Sequence, residues 1–177
     1  MNLFKNLIVL GQLVYAVHHL EEHVIFNFIG WKLQYFEHSA AALSTEAILS
    51  ILVCILVAFA LLHLVKNNRA SAYIILYILF AIQIINAIYH IFFSLYFSDF
   101  SPGTITAVLL YLPVNYLIVR AAFKEGFLKS YMEYAYIALL GTATFVLFEL
   151  YGPLVIGVSI AASVIYFIWI DNRLVNK

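Results

Sequence analysis

Of the chain's 177 residues, 66% are hydrophobic and only 10% are charged, against roughly 45–50% apolar and 25% charged in an ordinary soluble domain. That composition excludes a soluble enzyme and leaves an all-α integral membrane protein with room for one membrane domain. The net charge of zero gives no reason to expect a nucleic-acid partner.

Apolar runs of about 20 residues cross a bilayer as helices, and the polar punctuation divides the chain into six of them. The first covers about residues 3–28 and is read as a retained span rather than a cleaved signal peptide, because its apolar run continues past any cleavage point. A connector with Trp31 and Tyr35 follows, in which Glu37 and His38 are expected to be solvated. The second span runs from about residue 43 to 65, with Ser44 as its expected N-cap. The third covers about residues 72–97 and ends at the turn Ser98-Asp99-Phe100-Ser101-Pro102-Gly103. The fourth covers about residues 104–123, with a kink expected at Pro113. Two further helices span about residues 131–170. The whole of 1–177 is read as one transmembrane domain.

Lys5, Lys66, Arg69, Arg120, Lys124, Lys129, Arg173 and Lys177 all fall on one side of a six-helix bundle, and Lys32 alone falls on the other. The positive-inside rule then makes both termini cytoplasmic, in what is expected to be the cell (plasma) membrane.

One stretch resists this apolar pattern. Val17-His18-His19-Leu20-Glu21-Glu22-His23-Val24 sets five ionisable side chains inside the first span, where each charge costs about 2.5–3.5 kcal/mol at the bilayer centre. Such residues point to function. Helical rise puts them toward the extracytoplasmic face, at the level expected for Glu46, Asn86, His90, Thr106 and Glu149. His18, Glu21 and Glu22 share one helical face, and Gly11 and Tyr15 extend it inward; Gln83, Asn86 and His90 share a face of the third span. His63 and Glu133 are expected near span ends, in reach of water.

These residues resemble the HXXEE domain family of small membrane proteins, named for the pattern that His18, Glu21 and Glu22 match. The likeness extends to Asn86-x-x-x-His90, to Ser101-Pro102-Gly103-x-x-Thr106 and to Leu112-Pro113, and covers about residues 1–123. At position 19 the resemblance implies Asn where this chain has His19, and His23 is a further departure. The family has no established activity, so the resemblance implies which residues matter and supplies no reaction.

Imidazole with carboxylate and no thiolate suits zinc, iron or manganese. The expected ligands are His18, Glu21, Glu22, Glu46 and His90, with Glu21 or Glu22 left as the catalytic base toward a bound water. Asn86, His19, His23, Thr106 and Glu149 are expected to support the site or touch substrate. This reads as a metal-dependent membrane hydrolase or oxidoreductase acting on a lipid-like or amphipathic molecule. His19 to His23 also fits H-x-x-E-H, a pattern in which both His bind zinc. Two alternatives stay open: a metal-free Glu/His acid–base enzyme that isomerises, cyclises or hydrolyses, and a small transporter or ligand-binding protein.

Overall fold

Asn27, Asn68 and Ser130 each cap the helix that follows with a side-chain oxygen. The computed structural model describes residues 3–36 and 45–175, with side chains throughout these ranges except at 45, 46 and 171–175. Among the described residues there are helices and no strand, as backbone groups without water partners require. Helix α1 (Leu3–His19) passes into a π-helical turn, π1 (Leu20–Ile25). A short helix α2 (Phe28–Tyr35) and a long one, α3 (Thr45–Lys66), come next. Then α4 (Arg69–Leu79) continues through π2 (Phe80–Ile85) into α5 (Asn86–Tyr96). After the turn come α6 (Thr104–Thr106), π3 (Ala107–Tyr111) and α7 (Leu112–Lys124). The helices α8 (Tyr131–Tyr151) and α9 (Leu154–Val175) complete the fold.

Five helices among the described residues are long and apolar enough to cross a membrane: Leu3–Ile25, Ala47–Lys66, Arg69–Tyr96, Thr104–Lys124 and Tyr131–Tyr151. Where the sixth span is expected there is a shorter apolar stretch of helix, Leu154–Ile170, which is not among these five. The third span begins three residues earlier than expected. Asn68 accepts from Ser71 N–H at 2.9 Å while its own N–H reaches Ser71 Oγ at 3.4 Å, a reciprocal cap that draws residues 69–71 into the helix. Near Pro113, where a kink is expected, the wide turn π3 ends at Tyr111, two residues before the proline, whose ring supplies no N–H to the preceding turn.

The expected connector after the first span is largely helical. Phe26 turns extended and ends π1, and Asn27 then caps α2 by accepting from Gly30 N–H at 2.9 Å. Asp99 Oδ2 holds α2 from below, accepting from Trp31 Nε1 at 3.1 Å and from the Tyr35 hydroxyl at 2.9 Å. That hydrogen bond to a carboxylate raises the Tyr35 phenol above its ordinary pKa. Lys32 adds an ion pair to Glu149 at 2.7 Å. Glu37, His38 and Ser44 lie outside the described residues.

The first, third and fourth spans form the centre of the bundle. α3 packs on α1 and α4, while α8 and α9 lie against α4, with α8 also against π2. Phe4, Ile8, Ile75, Leu79, Ile118 and Ala122 are buried between the central helices. Gly141 lets α8 approach closely, since a Cβ there would stand 2.8 Å from Phe80 Cδ1 and 3.2 Å from the Ala81 nitrogen.

The end of the bundle that holds the N-terminus of α1 is tied by polar contacts. Phe4 N–H reaches Glu125 Oε1 at 2.9 Å, and Lys5 reaches the Leu64 carbonyl at 3.0 Å. Arg69 bonds the Phe127 carbonyl at 3.1 Å and Glu133 at 2.8 Å. His63, expected to reach water, is instead fully enclosed. The chain after α7 folds back over it, so its ring packs between Phe4 and Phe127 and its Nδ1 pairs with Ser71 Oγ at 2.9 Å.

Candidate functional site

At the opposite end of the bundle, α5 packs on the α6–π3 segment, and the carboxylates of π1 reach both α5 and the start of α6. Each of the three central spans carries a π turn close to its polar residues: π1 contains Glu21 and Glu22, π2 ends just before Asn86, and π3 starts just after Thr106. A π turn widens the helix by one residue and so breaks α-helical spacing; such turns are frequent at functional sites.

The two neighbouring carboxylates have different surroundings. Glu21 Oε1 accepts from Gly103 N–H and Ile105 N–H, both at 3.1 Å, and Oε2 accepts from Thr106 N–H at 2.7 Å. It therefore caps the start of the fourth span, where free N–H groups and the helix dipole favour a negative charge. Glu22 makes none of these backbone bonds. Its Oε1 lies 2.9 Å from His90 Nε2 and 3.4 Å from His18 Nε2, and its Oε2 lies 2.8 Å from His19 Nδ1 and 3.7 Å from His23 Nε2. One buried carboxylate thus faces four imidazoles. His18 and His90 are fully buried, and Glu22 is 2% exposed.

The two buried rings are fixed from behind. His18 Nδ1 lies 2.7 Å from Thr106 Oγ1, and His90 Nδ1 lies 3.0 Å from Ser101 Oγ. Thr106 Oγ1 also reaches the Gly103 carbonyl at 3.3 Å. With the hydroxyl proton assigned to that carbonyl, Thr106 accepts from His18 Nδ1–H and leaves a lone pair on Nε2. That lone pair faces Glu22 and, at 3.1 Å, Asn86 Oδ1. His90 Nε2 sits beside Glu22 Oε1 without the alignment of a hydrogen bond. Acceptors facing acceptors in a buried site need a cation between them, either a proton or a metal ion.

The donor set fits a metal. Ligands about 2.0–2.1 Å from a tetrahedral zinc lie about 3.3 Å from one another, and the distances of 2.9 and 3.4 Å from Glu22 Oε1 to the two nitrogens bracket that edge. Two His and one carboxylate with open positions are also the donor set of non-haem iron(II) sites. Hydrogen bonds to the outer ring nitrogens are what orient metal-bound imidazoles.

Gly103 sits against this group with φ +100°, and a Cβ there would stand 2.9 Å from His18 Cε1, 3.0 Å from His90 Cε1 and 3.1 Å from Glu22 Cγ. Gly103→Ala is expected to cost about 1–2 kcal/mol for the left-handed backbone alone, and to push the two imidazoles apart as well. A lower unfolding temperature is the expected result; an unchanged one would show that the rings have room to move.

Of the expected site residues, the structure brings together His18, Glu22 and His90, with Asn86 and Thr106 on His18 and with His19 and His23 on the outer oxygen of Glu22. Glu21 lies next to them as the helix cap. Glu149 does not join them and pairs with Lys32. The side chain of Glu46 lies outside the described residues. Two groups among the described residues have ligand atoms close enough to hold an ion, His18/Glu22/His90 and His19/Glu22/His23.

Sequence reasoning did not assign Ser101 its place behind His90, nor Gly103 its contact with both rings. It also missed an aromatic surround. The Tyr111 ring lies 4.2 Å from the His18 ring, Tyr15 lies 4.2 Å from His19, and Phe28 and Tyr89 lie 5.2 and 5.5 Å from His90. The hydroxyls of Tyr15, Tyr89 and Tyr111 are buried without a protein partner. Further along the bundle, Gln83 reaches the Gly11 carbonyl at 2.9 Å, and Asn115 joins Gln83 at 2.7 Å and the Tyr111 carbonyl at 2.9 Å.

A family profile described as protein of unknown function with HXXEE motif matches residues 9–118, a stretch that contains every residue of this cluster. No curated protein and no solved structure matches the chain.

Proposed function

From the premise that the chain belongs to the family of proteins of unknown function with an HXXEE motif, we propose that it is an integral membrane enzyme working through a divalent metal ion on His18, Glu22 and His90. One observation carries this reading. Three ligand atoms from two spans converge on one point, and the far side of each imidazole is held by a hydroxyl. Three protein ligands with an open position are characteristic of catalytic rather than structural zinc, and the same set accommodates iron. Such an ion supplies Lewis acidity and a water acidic enough to react near neutral pH.

The chain's own residues supply the rest. Glu22 carries the negative charge, and Thr106 and Ser101 fix the ring planes. Asn86 presents its amide beside His18 Nε2. Three tyrosines against the imidazoles offer unpartnered hydroxyls to the polar part of a substrate. A substrate reaching such a site from within the bilayer is lipid-like or amphipathic. Lys5, Arg69 and Lys129 gather at the other end of the bundle, which supports cytoplasmic termini and a site toward the extracytoplasmic face of the cell membrane. Against transport, Gln83 and Asn115 satisfy each other and nearby carbonyls and tie the spans together, rather than continuing a polar path.

The test is elemental analysis of protein purified without added metal, repeated on His18→Ala and His90→Ala. The wild type is expected to retain at least about one equivalent of zinc or iron. Each variant is expected to fall by more than the roughly 10–100-fold affinity loss that follows from disturbing outer support alone. Substoichiometric metal in the wild type, or metal indifferent to both substitutions, would remove the metal and leave an acid–base site.

A further inference from the structure

Glu22 offers its two oxygens to two different pairs of imidazoles, and the pairs differ in access. His18 and His90 at Oε1 have side chains 0% exposed, whereas His19 and His23 at Oε2 are 18% and 19% exposed. His19 and His23 are four residues apart, and the π turn stacks their rings at 5.7 Å with planes only 20° apart. Ligand atoms of His19, Glu22 and His23 all lie within 4.8 Å of one another. His19 also keeps a buried Nε2 without a partner. Imidazoles at this spacing on one helix face, beside a carboxylate, are a chelating set for zinc, copper, iron or nickel.

We propose that His19, Glu22 and His23 form a second divalent-cation subsite at the rim of the first, with Glu22 bridging the two ions through its separate oxygens. The inference rests on the reading of His18, Glu22 and His90 as a metal centre. Carboxylate-bridged pairs about 3.5–4 Å apart recur in hydrolytic and redox enzymes, where the two ions hold opposite ends of the reacting group. The asymmetry has a consequence for loading. An ion arriving from outside meets the partly exposed His19 and His23 first, and Glu22 behind them leads on to the closed pair.

The test is a zinc titration of the detergent-solubilised full chain, followed by calorimetry and elemental analysis. Wild type is expected to take about two equivalents, His19→Ala/His23→Ala about one, and Glu22→Ala none. If wild type and the His19/His23 variant both take one, these imidazoles only hydrogen-bond to Glu22 and the inference is overturned. If wild type takes a single ion that His18→Ala/His90→Ala keeps and His19→Ala/His23→Ala loses, the rim subsite stands and the buried centre falls. No zinc on the wild type overturns both. A readout on the unmodified chain is Mn²⁺ spin resonance. Bridged ions give an exchange-coupled multiline spectrum, and two isolated six-line signals would contradict the bridge.

Discussion

Glu22→Gln is expected to abolish metal retention while leaving the helical content of the protein intact. The substitution keeps the shape of the side chain but removes the charge that four imidazoles share. A neutral amide is a poor ligand, so the loss of affinity should exceed the roughly 10–100-fold seen when only outer support is removed. The metal-free protein need not lose stability. An isolated carboxylate is costly to bury, and replacing it by a neutral group of similar volume is often neutral or stabilising. Glu22→Ala differs, because it removes the polar neighbour of His18 and His90 altogether, and each buried polar atom so stranded costs about 1–3 kcal/mol. Metal analysis with thermal unfolding of both variants separates the two effects. A Glu22→Gln protein that still holds its metal would make Glu22 a structural hub.

Its neighbour is expected to behave in the opposite way. Glu21→Ala strands the N–H groups of Gly103, Ile105 and Thr106, and each buried unsatisfied donor costs about 1–3 kcal/mol. Allowing for partial exposure at Ile105, the loss should be on the order of 3–5 kcal/mol. It should register as a lower unfolding temperature and faster amide exchange at residues 103, 105 and 106. Glu21→Gln retains an acceptor oxygen and should fall between wild type and Ala. Metal binding should weaken only indirectly, as Thr106 and Ser101 lose their fixed positions behind His18 and His90. If Glu21→Ala unfolds no earlier than wild type, the cap contributes nothing and Glu21 returns to the list of candidate ligands.

The contrast between Glu21 and Glu22 also shows where sequence reasoning stopped. Helical spacing and depth were enough to bring His18, Glu22 and His90 to one level, because both depend only on span boundaries and rise per residue. Spacing could not divide the roles of two adjacent carboxylates. That division depends on the extra residue in π1, which turns Glu22 toward α5 and Glu21 toward the start of the fourth span. Nothing in the composition of Leu20–Ile25 distinguishes a π turn from an α turn.

The same limit applies to α2. Its mixture of aromatic and polar residues reads as an interfacial connector, and it is Asn27 and Asp99 that make it a helix with three polar ties. Glu149 at the end of α8 sits at the expected level but on the periphery, where Lys32 takes it. Level was legible, azimuth was not. His63 shows the converse: a residue near a span end was expected to see water, and a returning loop closed over it. Turn residues were recognised at 98–103 from composition, while the left-handed Gly103 and its approach to both imidazoles required the assembled fold.

The most direct measurement is X-ray absorption at the edge of whatever metal copurifies, combined with an anomalous difference map from crystals. The expected result is a scatterer about 2.0–2.2 Å from His18 Nε2, His90 Nε2 and a Glu22 oxygen, with at least one further light-atom ligand. A scatterer bound elsewhere, or a first shell containing sulfur or no imidazole, would contradict a metal centre on the HXXEE histidine and its second glutamate.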